Sequence, residues 1–317
     1  MRWRQFKGEK MKLTFDEIKA VTTGYVSAAK KDGRLYFEKC TEKQVDFWYA
    51  QSKSLGERAE ATTGVRFDFT TNSKRFYARV ADGKYEVRVN GVIVSRTTDG
   101  VIDIPLSGDN DRVTVIFPSH SRGYVDEVVL DDGAVFAPRR YDTKILFIGD
   151  SITQGWNSEY DGLSFAYRVT DFFDAESRIN GIGGAYFAGG SFDTSDFDPD
   201  IVVVAYGCND FAHYKTADER ARHADEFLAL VKAAYSDKKL FYVVPIMRRD
   251  VTGERLDEFL NMRKGFEKSA TEHGFVTVDG LAAVPDLADF YADDLHPNDL
   301  GFASYAEYLI KKIQEQL

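Results

Sequence analysis

Residues 144–155 read KILFIGDSITQG, and this stretch decides the fold of the second half of the chain. Its first five residues form a continuous apolar run, which is typical of a strand buried on both faces of a parallel sheet. The Gly-Asp pair that follows predicts a turn leading into a helix. Ser151 is therefore expected at the carboxyl end of a buried strand, which is where open α/β sheets bind their ligands.

Three later runs are equally continuous and are separated by helical patterns. They read IVVVAY (201–206), LFYVV (240–244) and FVTV (275–278). Between the first two, apolar residues recur every three or four positions from Ala217 to Tyr235, and Thr216 with Glu219 forms a capping box. A terminal helix is indicated at 302–313. This alternation predicts a doubly wound, flavodoxin-like α/β domain with a parallel sheet over residues 140–317.

The residues before this domain follow a period of two instead, after a short helical lead-in at 15–20. The alternating runs are VRFDF (65–69), RFYARV (75–80), YEVRV (85–89), VIDI (101–104) and VTVIF (113–117). The dipeptides Asp82-Gly83 and Asn90-Gly91 are typical of tight hairpin turns. We therefore predict an antiparallel, jelly-roll-like β-sandwich domain over residues 1–139, joined to the second domain within APRRYDT (137–143).

Composition excludes several classes of function. The formal net charge of −10 on 317 residues, with no basic cluster, argues against binding to nucleic acid. No apolar run approaches the roughly 20 residues that a transmembrane helix needs. The N-terminus shows no secretory signal, and Cys40 and Cys208 give little support to a disulfide framework. We therefore expect a cytoplasmic protein.

Ser151 is a candidate nucleophile, because it lies at the expected ligand edge of the sheet. A serine hydroxyl is a poor nucleophile unless a base lies next to it. By itself, Gly-Asp-Ser is also an ordinary turn and helix N-cap sequence. Its chemistry therefore depends on what the rest of the chain brings to the same edge.

Two further segments follow predicted strands. YGCND contains Asn209, whose neutral amide can donate a hydrogen bond to an oxyanion, although a turn residue is the simpler reading. INGIGGAYF (179–187) predicts a strand that leads into a glycine-rich loop, where glycines serve either a close backbone approach to substrate or tight packing. Neither segment identifies a site when it is taken alone.

The late segment ADDLHPND places Asp293 three residues before His296. One short turn can present both side chains on the same side, so that the carboxylate orients the imidazole as a general base. The alternative is an acidic surface turn before a helix that starts after Pro297. Of the other histidines, His120 is expected within the sandwich, and His213 is a candidate for lining the pocket.

In this order, GDS, a glycine-rich turn, GxND and DxxH resemble the SGNH hydrolases, also called GDSL esterases. The resemblance implies that Ser151 is the nucleophile, His296 the base and Asp293 its orienting residue. It also implies an oxyanion hole made by the Ser151 NH, the Gly184 NH and the Asn209 amide. Gly183 remains an alternative to Gly184, because Ala185 stands where the family often has an acidic residue. Some members of the family use a Ser-His pair alone, which leaves open whether Asp293 is essential here.

A sandwich placed before such a domain resembles family-two carbohydrate esterases, which deacetylate sugar hydroxyls of plant polysaccharides. This resemblance implies an esterase acting on small acyl groups, acetyl above all, of an oligosaccharide or small molecule, without a metal or organic cofactor. Trp156 could stack on a sugar ring, floor the acyl pocket or serve packing alone. Two alternatives stay open: a broad-specificity acyl esterase or thioesterase with an accessory interaction domain, and a catalytically silent carbohydrate-binding protein.

Overall fold

The structure is a computed structural model that describes residues 10–317. The first nine residues of the predicted sandwich domain lie outside this range. The helices are α1 (Phe15–Ala20), α2 (Glu42–Gln51), α3 (Lys53–Ala59), α4 (Ser151–Gln154), α5 (Phe165–Phe172), α6 (Asp210–His213), α7 (Ala217–Ala234), α8 (Glu254–Glu272), α9 (Gly280–Ala283) and α10 (Asp299–Gln314).

The strands divide into those of the first half of the chain and those of the second half. The first group is β1 (Lys10–Lys12), β2 (Thr22–Thr23), β3 (Ser27–Lys31), β4 (Arg34–Glu38), β5 (Arg66–Thr71), β6 (Arg75–Val80), β7 (Tyr85–Val89), β8 (Val92–Thr97), β9 (Val101–Pro105), β10 (Asp111–Ile116), β11 (Tyr124–Asp131) and β12 (Phe136–Pro138). The second group is β13 (Lys144–Gly149), β14 (Glu176–Gly181), β15 (Ile201–Ala205), β16 (Lys239–Val244) and β17 (Val276–Asp279).

The first group forms two antiparallel sheets, which confirms the predicted sandwich. One sheet has the order β3-β4-β11-β6-β9 with β1 on β11, and the other has the order β12-β5-β10-β7-β8 with β2 on β5. Their shared core is rich in aromatic rings that are fully buried, among them Phe67, Phe76 and Phe117. The predicted Asn90 turn joins β7 to β8 with a positive φ of 51° at Asn90.

The second group forms one parallel sheet with the order β14-β13-β15-β16-β17. This is the doubly wound, flavodoxin-like order that the apolar runs predict. Apolar cores cover both faces, since Leu146 and Ile148 of β13 point into one core and Ile145 and Phe147 into the other. The next strand along the chain, β14, pairs with one edge of β13, and the strand after it, β15, pairs with the other edge. The strand order therefore reverses at β13, and the ligand crevice of such a sheet is expected beyond the carboxyl end of that strand.

Two helices fall in the part of the chain where the sequence pattern predicted only strands. Thr41 caps α2 through a capping box with Gln44, and α3 follows directly. Trp48 of α2 is buried against Tyr186, with 5.5 Å between ring centroids. The helices α2 and α3 therefore leave the sandwich and pack against the parallel-sheet half, a contact that local periodicity does not encode.

A buried lysine joins the two halves beneath the expected crevice. Lys39 Nζ donates to the carbonyls of Arg58 at 2.9 Å and Gly181 at 2.8 Å, and to Thr63 Oγ1 at 2.9 Å. Burial lowers the pKa of Lys39 to about 8. The end of α3 is thus tied to the end of β14.

Within residues 10–317, the helices are too short or too polar to span a lipid bilayer.

Candidate active site

Ser151 is the first residue of α4, directly after the end of β13. Asp150 caps this helix, because its Oδ1 accepts the Ile152 NH at 2.9 Å. Burial raises the pKa of Asp150 to about 7. The Asp150 side chain therefore shapes the turn, and Ser151, 6% exposed, is presented at the crevice with its hydroxyl beyond the strand end.

The turn before α10 brings His296 to this serine. Ser151 Oγ lies 2.9 Å from His296 Nε2, although 145 residues separate them in sequence. Asp293 Oδ2 lies 2.9 Å from His296 Nδ1. Asp293 Oδ1 also accepts the backbone NH of His296 at 2.7 Å, which closes the short turn that the DxxH spacing predicts. The structure thus places Ser151, His296 and Asp293 in one continuous chain of hydrogen bonds.

The charge state of Asp293 sets the proton positions along this chain. Burial works to raise the pKa of Asp293, but hydrogen bonds from His296 and Leu295 outweigh it and lower the pKa. An ionised carboxylate only accepts hydrogen bonds, so Nδ1 of His296 must carry the proton and donate it. Nε2 of the neutral imidazole then accepts from the Ser151 hydroxyl. This is the tautomer that a general base needs.

Asn157 is a partner of this carboxylate that the sequence reasoning missed. Its Nδ2 donates to Asp293 Oδ2 at 3.0 Å. Asn157 has a φ of 70°, a left-handed conformation that asparagine tolerates better than most residues. The residue lies six positions after Ser151, and its contact depends on a turn whose path no sequence pattern indicates.

The glycine-rich loop after β14 resolves into two glycines with different surroundings. The Gly183 NH donates to Gln154 Oε1 at 2.7 Å, so it is occupied within the protein. The Gly184 NH has no acceptor among residues 10–317. Gly184 also has a φ of +85°, and a Cβ there would lie 3.0 Å from Arg58 Nη1. Of the two glycines, Gly184 is therefore the one whose NH remains available to a ligand.

Asn209 follows β15 and is anchored to the same loop. Its Nδ2 donates one hydrogen bond to the Ala185 carbonyl at 2.9 Å. The second N–H of that amide has no acceptor in the described part of the chain. The structure thus fixes the orientation of Asn209 next to the Gly184 turn and leaves one donor for a ligand.

Trp156 lies beside the histidine and under side chains from the first half of the chain. Its ring centroid is 6.3 Å from that of His296 and 4.9 Å from that of His120. The guanidinium carbon of Arg58 lies 5.2 Å from its ring centroid. Trp156 is therefore a wall of the site rather than a core residue. Its backbone NH donates to the Ser151 carbonyl at 2.9 Å.

His120 and Arg58 are site neighbours that the sequence reasoning did not find. His120 lies on the β10–β11 connection of the sandwich, as expected, but its ring reaches Trp156. Although the residue is exposed overall, desolvation of its ring, with the charges of Lys39 and Lys84, lowers the pKa of His120 to about 4. It is therefore neutral at pH 7. Such long-range contacts leave no signal in a single sequence.

His213 does not join the hydrogen-bonded chain. It lies at the end of α6, and its ring stacks on Tyr186 with 3.5 Å between centroids. Its proposed place in the substrate pocket stays a prediction. Among residues 10–317, histidines, cysteines and carboxylates form no cluster of three or more that could hold a metal ion.

The arrangement can carry out acyl transfer: a serine hydroxyl faces a neutral imidazole, and two or three N–H donors lie on the neighbouring loops. Residues 147–303 match the GDSL-like Lipase/Acylhydrolase family. No curated protein sequence gives a significant match to the chain.

Solved structures share the fold over 80% or more of the chain at low sequence identity. Salicylyl-acyltransferase SsfX3 from a tetracycline biosynthetic pathway has a TM-score of 0.82 at 14% identity, covering 99% of this chain and 98% of its own. The acetyl xylan esterase Est2A from the rumen bacterium Butyrivibrio proteoclasticus has a TM-score of 0.65 at 13% identity, covering 97% and 98%. A family-two carbohydrate esterase from Clostridium thermocellum, in complex with cellohexaose, has a TM-score of 0.62 at 17% identity, covering 80% and 91%.

The structural similarity shows the shared fold, and the family match adds the kind of enzyme. The part of the chain built around the parallel sheet belongs to the GDSL-like lipase/acylhydrolase family, the carboxylic ester hydrolases also known as SGNH hydrolases, and the fold as a whole resembles that of family-two carbohydrate esterases.

Proposed function

We propose that the chain is a serine esterase that removes small acyl groups, acetyl above all, from carbohydrate. One observation carries the proposal: Ser151 Oγ, His296 Nε2, His296 Nδ1 and Asp293 Oδ2 form a chain with 2.9 Å at each of its two hydrogen bonds. In this proposal residues 140–317 are the catalytic domain. Residues 1–139 form an accessory domain that contacts the carbohydrate.

The reaction proceeds through an acyl-enzyme in two steps. Ser151 Oγ attacks the ester carbonyl carbon while His296 Nε2 takes the hydroxyl proton, and the carbonyl electron pair moves to the oxygen. The oxyanion accepts hydrogen bonds from the Ser151 NH, the Gly184 NH and the Asn209 amide. Collapse of the intermediate breaks the ester C–O bond, and His296 returns the proton to the leaving alkoxide. Water then repeats the sequence, which releases the acid and restores Ser151.

The choice of carbohydrate rests on two supporting features. Est2A and the Clostridium thermocellum enzyme are carbohydrate esterases with the same two-part fold. Trp156 offers an aromatic ring beside His296, and aromatic rings can pack against the apolar faces of sugars.

A second candidate function is acyl transfer to an acceptor other than water. The similarity to salicylyl-acyltransferase SsfX3, with a TM-score of 0.82, favours it. The same acyl-enzyme serves both reactions, because only the nucleophile of the second step differs. An added alcohol that diverts the acyl group from water in proportion to its concentration would favour the transferase.

The experiment that tests the proposal measures hydrolysis of an aryl acetate and of acetylated xylo-oligosaccharides by the protein and by Ser151→Ala. We expect turnover of both substrates that disappears in the variant. An ester chain-length series completes the test, since a shallow acetyl pocket should reject long acyl chains, whereas a broad-specificity esterase or thioesterase accepts them. Binding of the oligosaccharide without turnover would favour the catalytically silent carbohydrate-binding protein.

A further inference from the structure

Arg58 carries a positive charge from the first half of the chain to the edge of the site. It lies in α3, and its Nη1 donates to the Gly183 carbonyl at 2.7 Å. Its guanidinium carbon lies 5.2 Å from the Trp156 ring centroid, a distance at which a cation and an aromatic ring attract each other. Arg58 therefore touches both the loop that holds the Gly184 NH and the aromatic wall beside His296.

Arg58 is held in position both at its backbone and at its guanidinium group. The Lys39 ammonium binds the Arg58 carbonyl and the Gly181 carbonyl at once, so the backbone of α3 is tied to the end of β14. A Cβ on Gly184 would lie only 3.0 Å from Arg58 Nη1, so the guanidinium approaches the loop as closely as a glycine allows. The charge is thus held beside the Gly183–Gly184 loop and Trp156 before any ligand arrives.

This charge has no anionic partner in the described part of the chain. No carboxylate among residues 10–317 lies within 4.0 Å of the Arg58 guanidinium, whereas Arg122 on the same half pairs with Glu38 and Glu60. Beyond the bond to Gly183, the other N–H groups of Arg58 have no acceptor in that range. Although the protein has a net charge of −10, the described residues leave the partly buried Arg58 without a counter-ion, so its guanidinium is available to an anionic ligand.

We propose that Arg58 binds a carboxylate of the substrate, so that the enzyme prefers esters that carry this charge near the scissile bond over their neutral counterparts. The inference rests on the proposed esterase function and names its substrate class. A planar guanidinium binds a carboxylate with charge-assisted hydrogen bonds. The carboxylate can belong to the acyl part, as in a monoester of a dicarboxylic acid, or to the alcohol part, as in an acetylated uronic acid.

The test compares kcat/KM for charged substrates and for neutral counterparts that differ from them only by methylation of the carboxylate. One pair is an aryl hemisuccinate and the aryl ester of methyl succinate, and the other is an O-acetylated uronic acid and its methyl ester. We expect the wild type to prefer the charged member of one pair by about 10-fold or more, the range of a hydrogen bond to a charged group. The pair that shows the preference identifies whether Arg58 binds a carboxylate of the acyl part or of the alcohol part.

The variant Arg58→Met should remove the preference by lowering kcat/KM for the charged member alone, and Arg58→Lys should retain part of it. Lys53→Met removes the same charge from the other end of α3, where Lys53 is 85% exposed, and should leave the preference unchanged. A loss of equal size for both members of each pair in Arg58→Met would mean that Arg58 only clamps the Gly183 loop, and the inference would be wrong.

A binding measurement separates this inference from the proposed function. Calorimetry of Ser151→Ala with succinate and with a uronic acid should detect binding of at least one of them that Arg58→Met weakens about 10-fold or more. Binding of neither compound, together with no charge preference in the Ser151-dependent turnover of either substrate pair, overturns the inference and leaves the proposed esterase function intact. Absence of Ser151-dependent turnover on every ester instead overturns the esterase.

Discussion

The side-chain carbonyl of Gln154 accepts the backbone NH of Gly183 at 2.7 Å. Gln154 ends the helix that Ser151 begins, and its amide nitrogen donates in turn to the Ser119 carbonyl of the sandwich. One buried side chain thus connects the helix that Ser151 begins, the glycine-rich loop and the first half of the chain. It also occupies the NH that made Gly183 an alternative to Gly184.

Replacing Gln154 should therefore misplace the Gly184 NH. We expect Gln154→Met, which keeps the volume, to lower kcat between about 10- and 100-fold with a smaller effect on KM, since the lost bonds position a group that acts in the transition state. Steady-state kinetics on an aryl acetate measure this effect, with thermal unfolding as the check on folding. An unchanged kcat would separate Gln154 from the oxyanion hole.

Asn209 should contribute one donor to the oxyanion. Asn209→Ala is expected to lower kcat by about 10²- to 10³-fold, the usual effect of removing one such donor. The matched control is Asn261→Ala, which removes an exposed amide of α8 and should leave kcat as it is. A near-normal rate in Asn209→Ala would remove this side chain from the site.

Asp293 and Asn157 should differ in their effects although they touch each other. Asp293→Ala removes the group that fixes the His296 tautomer, so we expect kcat to fall by roughly 10²- to 10⁴-fold. Asn157→Ala leaves that carboxylate in place and should lower kcat less than about 10-fold, the effect of one partly exposed hydrogen bond. Equal activity of Asp293→Ala and wild type would show that the Ser-His pair suffices.

Activity should fall as the solution is acidified from about pH 8 to about pH 5, because only a neutral imidazole can take the Ser151 proton. His120 does not contribute to this limb, since its lowered pKa of about 4 keeps it neutral there. The profile of kcat/KM in His120→Gln should therefore coincide with that of the wild type. A flat wild-type profile would speak against a histidine base.

The stability of the fold should decrease as the pH rises, because Asp210 is buried. Burial raises the pKa of Asp210 from an ordinary 3.8 to about 7. The folded state then holds a proton that the unfolded chain has lost, so this part of the stability is lost as pH rises from about 4 to about 7. Asp210→Asn stays neutral, so its melting temperature relative to wild type should be higher at about pH 8 than at about pH 5, where only part of this stability has been lost.

Thermal unfolding of Asp210→Asn at both pH values measures this difference. Asp132→Asn is the control, because Asp132 is exposed and its replacement should shift both curves alike. A melting temperature of Asp210→Asn that follows wild type at both pH values would mean that Asp210 is ionised in the folded protein.

Much of the fold and part of the site could be predicted because their signals are local. The strands of the parallel sheet show as continuous apolar runs, and the predicted bounds of β6 and β7 coincide with those observed. The capping box at Thr216 begins α7 as expected. The three-residue spacing of Asp293 and His296 likewise fixes their contact, since one turn is enough to form it.

The helices and contacts that the sequence did not predict depend on residues that are distant in sequence. Helices α2 and α3 have a weak pattern of their own and are stabilised by burying Trp48 against the parallel-sheet half. Arg58 and His120 reach Trp156 only because those helices and the sandwich pack over the crevice. No single-sequence signal reports such packing.

The sequence by itself therefore determined the two kinds of sheet, the strand end that carries Ser151 and the local pair of Asp293 and His296, because periodicity and short spacings act within one element or one turn. Only the tertiary structure decided that Ser151 Oγ meets His296 Nε2 across 145 residues. Only the tertiary structure decided, too, that within residues 10–317 the Gly184 NH has no acceptor whereas the Gly183 NH has one, and that Arg58 has no carboxylate partner in that range. These contacts depend on how separate elements pack, and packing is a property of the whole folded chain.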